Sequence, residues 1–417
     1  MENLYDDEME SNKQSWLDQV ILDQGADFIK SLNSYNEGIL IQPLYTKDDL
    51  PEYSHDNTAD FLEDFDAEFI EAAEKETTAA PTWYVGEELY MNKDQQLELI
   101  VIESLKRGAN YLRIHVSENF VWDQVVDQIR KLQFPAYFSF NINGDLLDEN
   151  IAGLWRERIG VLGDRDRLIQ SLEFDPISYW LETGKIENES RSFNALADIF
   201  FRISGHLHDC KLIKVDVSVN SFSDKDLIHQ LASALAITSE YFDQLTNKNV
   251  PIEELIHLMS FRFTVGTDIF FEIAKFRAFK LLWNNLLRSF IADIEFIPNP
   301  FIHVIIKDDL SPEDEPHQNL LRITTKTLAA ILGGCDAISI SGIDKTTREL
   351  NDFDKRSATH IQNIFRYETK MDSYREAAKG SFYIESLSAQ LAEKAWAEFK
   401  NIENEGGFLE NWKKNIL

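Results

Sequence analysis

Four short stretches of this sequence alternate apolar and polar residues with a period of two, and each lies between helical patterns. Leu112, Ile114 and Val116 alternate with Arg113, His115 and Ser117. Phe138, Phe140 and Ile142 alternate with Ser139, Asn141 and Asn143. Val215, Val217 and Val219 alternate with Asp216, Ser218 and Asn220, and Ile338 and Ile340 with Ala337, Ser339 and Ser341. A strand sends successive side chains to opposite faces. Strands linked by helices run parallel, and their two faces are normally both apolar. Here the apolar set must meet the helices, so the polar set points the other way. In a closed barrel that direction is the interior. An unpaired buried hydroxyl or amide costs about 1–3 kcal/mol. The polar groups therefore bond one another and ordered water, or they line a tunnel for an extended polar ligand. The alternation leaves both arrangements open, together with an antiparallel sheet that has one wet face.

The remaining pattern favours the barrel. Helical periodicity covers 93–107, closed by Gly108, then 122–132, 191–204, 224–246, 252–262 and 267–288. It resumes over 318–332, closed by Gly333-Gly334, and over 353–369 and 386–404. Strand patterns fall at 111–116, 136–143, 212–220, 301–307 and 336–341. The long helix at 267–288 carries Phe271, Ala274, Ala278 and Leu282 on one face. No G-x-G-x-x-G or G-x-x-x-x-G-K-[ST] follows a strand, so a nucleotide-binding open sheet has no fingerprint. The expected fold is α/β, a (β/α)8 TIM barrel over 81–417 with an N-terminal extension over 1–80. Within the extension, 1–36 reads as a short helix and linker with sparse apolar positions (Trp16, Val20, Ile21, Leu32). Residues 37–53 read as an extended segment broken by Pro43 and Pro51, and 56–80 as an acidic connector.

Charge and composition exclude several functions. The chain has 41 Lys+Arg against 72 Asp+Glu, a net charge of −31. Such a field repels phosphate backbones, so nucleic acid is not expected as a partner. Residues 1–80 contain 21 of the acidic and 4 of the basic side chains, a local net of −17. This reads as solubility, or as an acidic arm laid on a basic partner. No apolar run is long enough to span a membrane, and the acidic start lacks the features of a leader peptide. Two cysteines, Cys210 and Cys335, fit a reducing cytoplasm. His206-x-His208 lacks a third ligand nearby, so no metal site is expected. His115 and His303 are placed inside the barrel as core histidines. Asp309, Glu313 and Asp314 read as solvated loop charges, and Arg277 and Arg322 as helix-surface ion-pair residues. Asp216 is the one carboxylate found on a strand, which argues against a glycosidase pair. No G-x-S-x-G elbow occurs.

Several ordered blocks resemble the substrate-binding barrel of the methylmalonyl-CoA mutase family, and most closely its small, non-catalytic subunit. They are EGILIQPLYTKDDL at 37–50, SFRFTVGTDIFFEIAKFRAFKLLW at 260–283, NLLRITTKTLAAILGGCDAISIS at 319–341 and GSFYIESLSAQLAEKAWAEFKNIENEGG at 380–407. In active members of that family the pantetheine arm of coenzyme A runs along the barrel axis, between small hydrophilic residues. The resemblance therefore implies a role for Arg113, His115, Ser139, Asn141, Asp216, Ser218, His303, Ser339 and Ser341 as barrel-lining residues. The departures are equally specific. The family's Tyr-His pair, whose histidine holds the thioester carbonyl, is replaced by Asn220-Ser221. Neither the carboxylate-clamping Arg nor the Arg-Pro-Trp-Thr-Ile-Arg segment has a counterpart at 144–205 or 82–91, and the Asp-Pro-x-Gly-Gly-Ser turn has become EAAKGS at 376–381. A cobalamin-binding domain with its D-x-H-x-x-G motif would lie beyond Leu417.

The resemblance thus implies a cytoplasmic, non-catalytic barrel that pairs with and stabilises a catalytic large subunit in a heterodimer. Adenosylcobalamin would be held by that partner and not by this chain. Two alternatives remain at this stage: the CoA-ester-binding barrel of a split mutase with cobalamin on a separate chain, and a standalone binding or regulatory barrel.

Overall fold

The structure, a computed structural model, describes residues 13–50, 82–90, 97–116, 137–142, 170–186, 188–203, 210–219, 226–291, 297–307, 316–341, 352–374 and 377–416. Eight strands close into one parallel barrel: β1 (Tyr84–Tyr90), β2 (Tyr111–Val116), β3 (Tyr137–Ile142), β4 (Gln170–Phe174), β5 (Lys211–Asp216), β6 (Met259–Thr264), β7 (Phe301–Lys307) and β8 (Ala337–Ser341). Each strand pairs with its sequence neighbours, and β8 closes the ring on β1. The fold is a (β/α)8 TIM barrel, as expected from the alternation together with the helix–strand pattern.

The helical ring includes α1 (Leu97–Arg107), α2 (Glu189–Ile203), α3 (Leu227–Thr246), α4 (Ile269–Phe290), α5 (Pro316–Leu332), α6 (Asp352–Asn363) and α7 (Phe382–Asn404). Side-chain caps start several of them. Asp226 accepts from the His229 N–H at 2.7 Å ahead of α3, and Asp268 accepts from the Phe270 and Phe271 N–H groups ahead of α4. Gly108 ends α1 at φ 102°, a conformation open to glycine at little cost. The apolar faces of the strands meet this ring: Leu112, Ile114, Phe138, Phe140, Val215, Val217, Ile338 and Ile340 are all buried in the core that the helices cover. Phe271, Ala274, Ala278 and Leu282 of α4 join them. Ahead of the barrel, helices Lys13–Gln24 and Ala26–Leu32 lead into a small antiparallel hairpin, Ser34–Asn36 with Ile39–Ile41.

Three strands differ from the sequence reading. The helix expected over 252–262 stops at Leu258, and Met259–Thr264 is strand β6. Here S-F-R-F alternates with period two and overrides the preceding helical run, and Arg262 on this strand pairs with Asp216 and Glu88. Strands β1 and β4 carry no clear alternation in the sequence and lie outside the expected strand set. The helix expected at 122–132, the connector at 56–80, and Ser117, Asn143, His206, His208, Asp309, Glu313 and Asp314 lie outside the described residues.

Closure places β8 against β1 at very short range. A Cβ on Gly86 would meet the Ser339 hydroxyl and would approach the Ile338 carbonyl oxygen to 2.7 Å. Gly86→Ala should therefore destabilise the barrel by about 1–3 kcal/mol. Chemical denaturation of the two proteins checks this, and equal midpoints would contradict it.

Candidate functional site

The inward faces of the strands build one ionic circuit across the barrel. On β2, Arg113 Nη1 donates to Glu88 Oε2 of β1 at 2.9 Å, and its Nε donates to Glu173 Oε2 of β4 at 2.6 Å. On β5, Lys214 Nζ donates to the same Glu173 oxygen at 3.1 Å and lies 3.5 Å from Asp216 Oδ2. On β6, Arg262 Nη1 donates to Asp216 Oδ2 at 3.2 Å, and Nη2 donates to Glu88 Oε1 at 2.8 Å. Glu88, Arg113, Glu173, Lys214, Asp216 and Arg262 thus form a ring of alternating sign that returns to its start. The ring is electrically neutral, and all six side chains are at least nine-tenths buried.

Layers of side chains fill the axis on both sides of the ring. Towards the strand C-terminal ends, His115 Nε2 meets Glu88 Oε2 at 2.5 Å, and its Nδ1 lies 3.3 Å from the Asn141 amide nitrogen. The imidazole stacks on Tyr90, with centroids 4.1 Å apart. Asn141 Oδ1 also accepts from Lys214 at 3.1 Å. Ser218 donates to Asp216 through both its hydroxyl and its N–H, and Lys307 Nζ donates to the Ser218 carbonyl. Ser341 sits half-buried at the rim and donates to the Ile306 carbonyl at 3.4 Å.

Towards the other end, the Tyr111 hydroxyl donates to Glu173 Oε1 at 3.3 Å beside Ser139. The Tyr111 ring stands edge-on to His303 at 5.0 Å, and His303 Nε2 shares a 2.8 Å hydrogen bond with the Ser339 hydroxyl. Tyr84 and Tyr137, the first residues of β1 and β3, touch through their hydroxyls below this layer.

Burial and charge set the protonation states. Against the penalty of burial, the Arg262 and Arg113 charges hold Glu88 well below the usual carboxylate range. Arg113 and Lys214 do the same for Glu173, and Arg262 and Lys214 for Asp216. Burial, and then the Arg113 charge, lowers His115 to about 4. Burial, and then Arg262, lowers His303 to about 3. Both imidazoles are therefore neutral at pH 7. Asp175, just past β4, is pushed by burial up to about 6, although Ser178 and Tyr241 donate to it.

The barrel-lining candidates Arg113, His115, Ser139, Asn141, Asp216, Ser218, His303, Ser339 and Ser341 lie on the barrel strands or just past their ends. Asn220 and Ser221 lie outside the described residues. Asp216 is not the one strand carboxylate, because Glu88 and Glu173 share its circuit. Sequence reasoning missed Glu88, Glu173, Lys214, Arg262 and Tyr111. Lys214 and Arg262 were detectable, each lying in phase with an alternating stretch. Glu88 and Glu173 sit in segments that gave no strand signal. Arg277 of α4 makes a helix–helix ion pair with Glu385 of α7 at 2.7 Å. Among the described residues, no cluster of three or more His, Cys, Asp or Glu is arranged to hold a metal.

Chemically, every charge of the ring is engaged by another, and both barrel histidines are held in place. The arrangement suits rigidity better than proton transfer. Removing one member should strand a buried charge, so Glu173→Gln is expected to cost about 3–5 kcal/mol in denaturant unfolding. A change below 1 kcal/mol would contradict the circuit. Ser339→Leu should cost about 1–3 kcal/mol, because the hydroxyl is fully buried between His303 and Gly86. An unchanged melting temperature would indicate open space around it.

The pH dependence follows from the shifts. Groups with lowered folded-state pKa values add stability above their unfolded values and lose it as pH falls. The histidines make that loss begin below about pH 6.5, and the carboxylates extend it below about pH 4. Asp175, raised, opposes them between about pH 6 and 4. Unfolding free energy should therefore fall by about 2–3 kcal/mol from pH 7 to pH 5. A flat profile in denaturant titrations would contradict this.

The model of the methylmalonyl-CoA mutase family matches residues 156–417. The methylmalonyl-CoA mutase small subunit of Porphyromonas gingivalis is 25% identical over 421 residues, covering 98% of this chain and 65% of that protein. The large subunit of the same organism is 26% identical over 216 residues, covering 52% of this chain and 30% of that protein. This chain therefore spans less than two-thirds of the length of these relatives. Among solved structures, Yersinia pestis dihydropteroate synthase aligns with a TM-score of 0.37 and 10% identity, over 80% of this chain and 98% of that one. With the matched segment running from before β4 to the last residue, this chain belongs to the methylmalonyl-CoA mutase family.

Proposed function

We propose that this chain is the non-catalytic barrel of a heteromeric methylmalonyl-CoA mutase, the enzyme that interconverts methylmalonyl-CoA and succinyl-CoA. It pairs with a catalytic large subunit in the cytoplasm and stabilises it. Residues 81–417 supply the barrel, and residues 1–80 the acidic extension. The ionic ring carries this reading. An eight-stranded barrel has an interior just wide enough for its own side chains. A ligand arm can run along the axis only where those side chains are small. Here Arg113, Lys214, Arg262, Glu88 and Glu173 cross the axis, with Tyr111 and His303 beneath them. Threading a pantetheine chain through would break ion pairs and leave buried charges without partners, at several kcal/mol each.

The barrel histidines also fit adenosylcobalamin poorly. His115 is tied to Glu88 and Asn141 and lies flat on Tyr90, and His303 is buried against Ser339. Both His115 nitrogens are engaged, and the unpartnered Nδ1 of His303 is buried inside the barrel. Adenosylcobalamin, which supplies the radical for the rearrangement, accordingly belongs to the partner. The large and small subunits named in P. gingivalis support such a pairing. No described helix is long and apolar enough to cross a membrane.

The test combines binding and reconstitution. Titration of the chain with methylmalonyl-CoA by calorimetry should give no saturable heat. Adding the chain to the catalytic subunit should raise that subunit's melting temperature. A partner present at 100 times its Kd adds about 2.7 kcal/mol. Micromolar binding of the CoA ester to the chain alone, or its isomerisation by the chain and cobalamin alone, would overturn the proposal.

A further inference from the structure

A buried cation without a carboxylate beside it lies where β1 enters the barrel. At its end α6 runs into a wider π-type turn, Ile364–Glu368, in which the Thr369 N–H donates back to the Ile364 carbonyl at 3.1 Å. Such turns recur at functional sites. Phe365 and Arg366 point inward from it, 8% and 7% exposed, while Ile364 and Tyr367 face outward. Arg366 Nη2 donates to the carbonyl of Trp83, the residue ahead of β1, and its guanidinium carbon stands 4.9 Å from the centre of the Trp83 ring. Two N–H donors of this stacked pair, Arg366 Nε and Trp83 Nε1, are buried without an acceptor among the described residues.

A guanidinium stays charged in a protein, so Arg366 does not escape its burial by losing a proton. The other buried arginines of the barrel, Arg113 and Arg262, each meet two carboxylates. Arg366 meets none among the described residues. Glu368 and Asp372, the described carboxylates nearest to it in sequence, are exposed and do not pair with it. The Trp83 ring face compensates part of the charge, but it leaves both N–H groups unmet. One acceptor at the edge of the stack answers both needs, since indole and guanidinium are donors only. A water molecule accepts from them but leaves the charge in place. An anion accepts from both and neutralises the guanidinium. Burial limits its size: Trp83 is 1% exposed, which keeps a long or branched ligand from Nε1. We propose that Trp83 and Arg366 form a binding site for a small inorganic anion of halide size, which fastens the turn after α6 to the entry of β1. The Thr82 hydroxyl, donating to the Asp372 carbonyl at 2.7 Å, ties the same two segments together beside it.

The test uses the full chain with chloride as the probe, sodium chloride replacing sodium gluconate at constant ionic strength. The melting temperature of the wild type should rise and saturate. Trp83→Phe keeps a ring under the guanidinium but removes the N–H, and should raise the half-saturating chloride concentration at least fivefold. Arg366→Gln should abolish the saturable rise. Crystals of the wild type grown in sodium bromide should show an anomalous peak beside Trp83 Nε1 and Arg366 Nε, which reads the site even where a variant does not fold. A melting temperature that changes linearly with chloride, and equally in wild type and Trp83→Phe, would reveal a general salt effect and overturn the site. A water molecule or a carboxylate of the chain itself between the two donors, with no bromide there, would overturn it as well.

Discussion

The barrel is organised around mutual neutralisation on its axis. Arg113 is fully buried, and because a guanidinium stays charged, a lone one there would be costly without compensation. Glu173 and Glu88 supply the compensation from two other strands, and each needs a second cation, which Lys214 and Arg262 provide. Asp216 then joins those two cations and closes the circuit. A buried ion pair adds little net stability compared with an apolar pair of the same shape, but breaking one is costly. The ring is therefore better understood as a device for fixing geometry. It ties β1, β2, β4, β5 and β6 in one register, since slipping any of these strands by one residue would turn its charge towards the helices.

This division of labour explains what the sequence disclosed and what it concealed. The outer faces of β2, β3, β5 and β8 are mostly apolar and the inner faces mostly polar, so a hydrophilic centre could be read from residues such as Leu112 and Arg113 or Ile338 and Ser339. Whether that centre was open or filled could not. The answer depends on pairs such as Glu88 with Arg262, separated by 174 residues, and Arg113 with Glu173, separated by 60. Local patterning carries no record of such contacts. Glu88 was hidden further by its neighbour Glu87, which faces the other way and pairs with Arg107 of α1 at 2.6 Å. Two adjacent glutamates in so acidic a chain resemble a solvated surface. Arg262 was detectable only through the S-F-R-F alternation, because the preceding helix runs into its strand without a break.

Because the two faces of a strand are independent, a family can alter the axis of its barrel without disturbing the fold. The packing of Phe261 and Phe263 on Phe279 of α4, with ring centroids 4.7 and 4.9 Å away, depends only on the outward side of β6. Arg262, between them, is free to serve another purpose. Function resides in the inward set and fold in the outward set. The sequence blocks that mark the family include the core-forming α4 and α5, and these say little about whether the inward set can still receive a ligand.

A filled axis also changes what such a barrel can contribute to an assembly. A barrel that must admit a long, flexible ligand keeps a channel along its axis, and its packing is incomplete until the ligand arrives. A barrel whose axis is closed by its own ion pairs is complete from the outset. It offers a partner a surface whose shape does not depend on substrate concentration, so the stabilisation it gives is constant through a catalytic cycle. Under the proposed pairing, that constancy is the advantage a subunit would gain by filling its own tunnel.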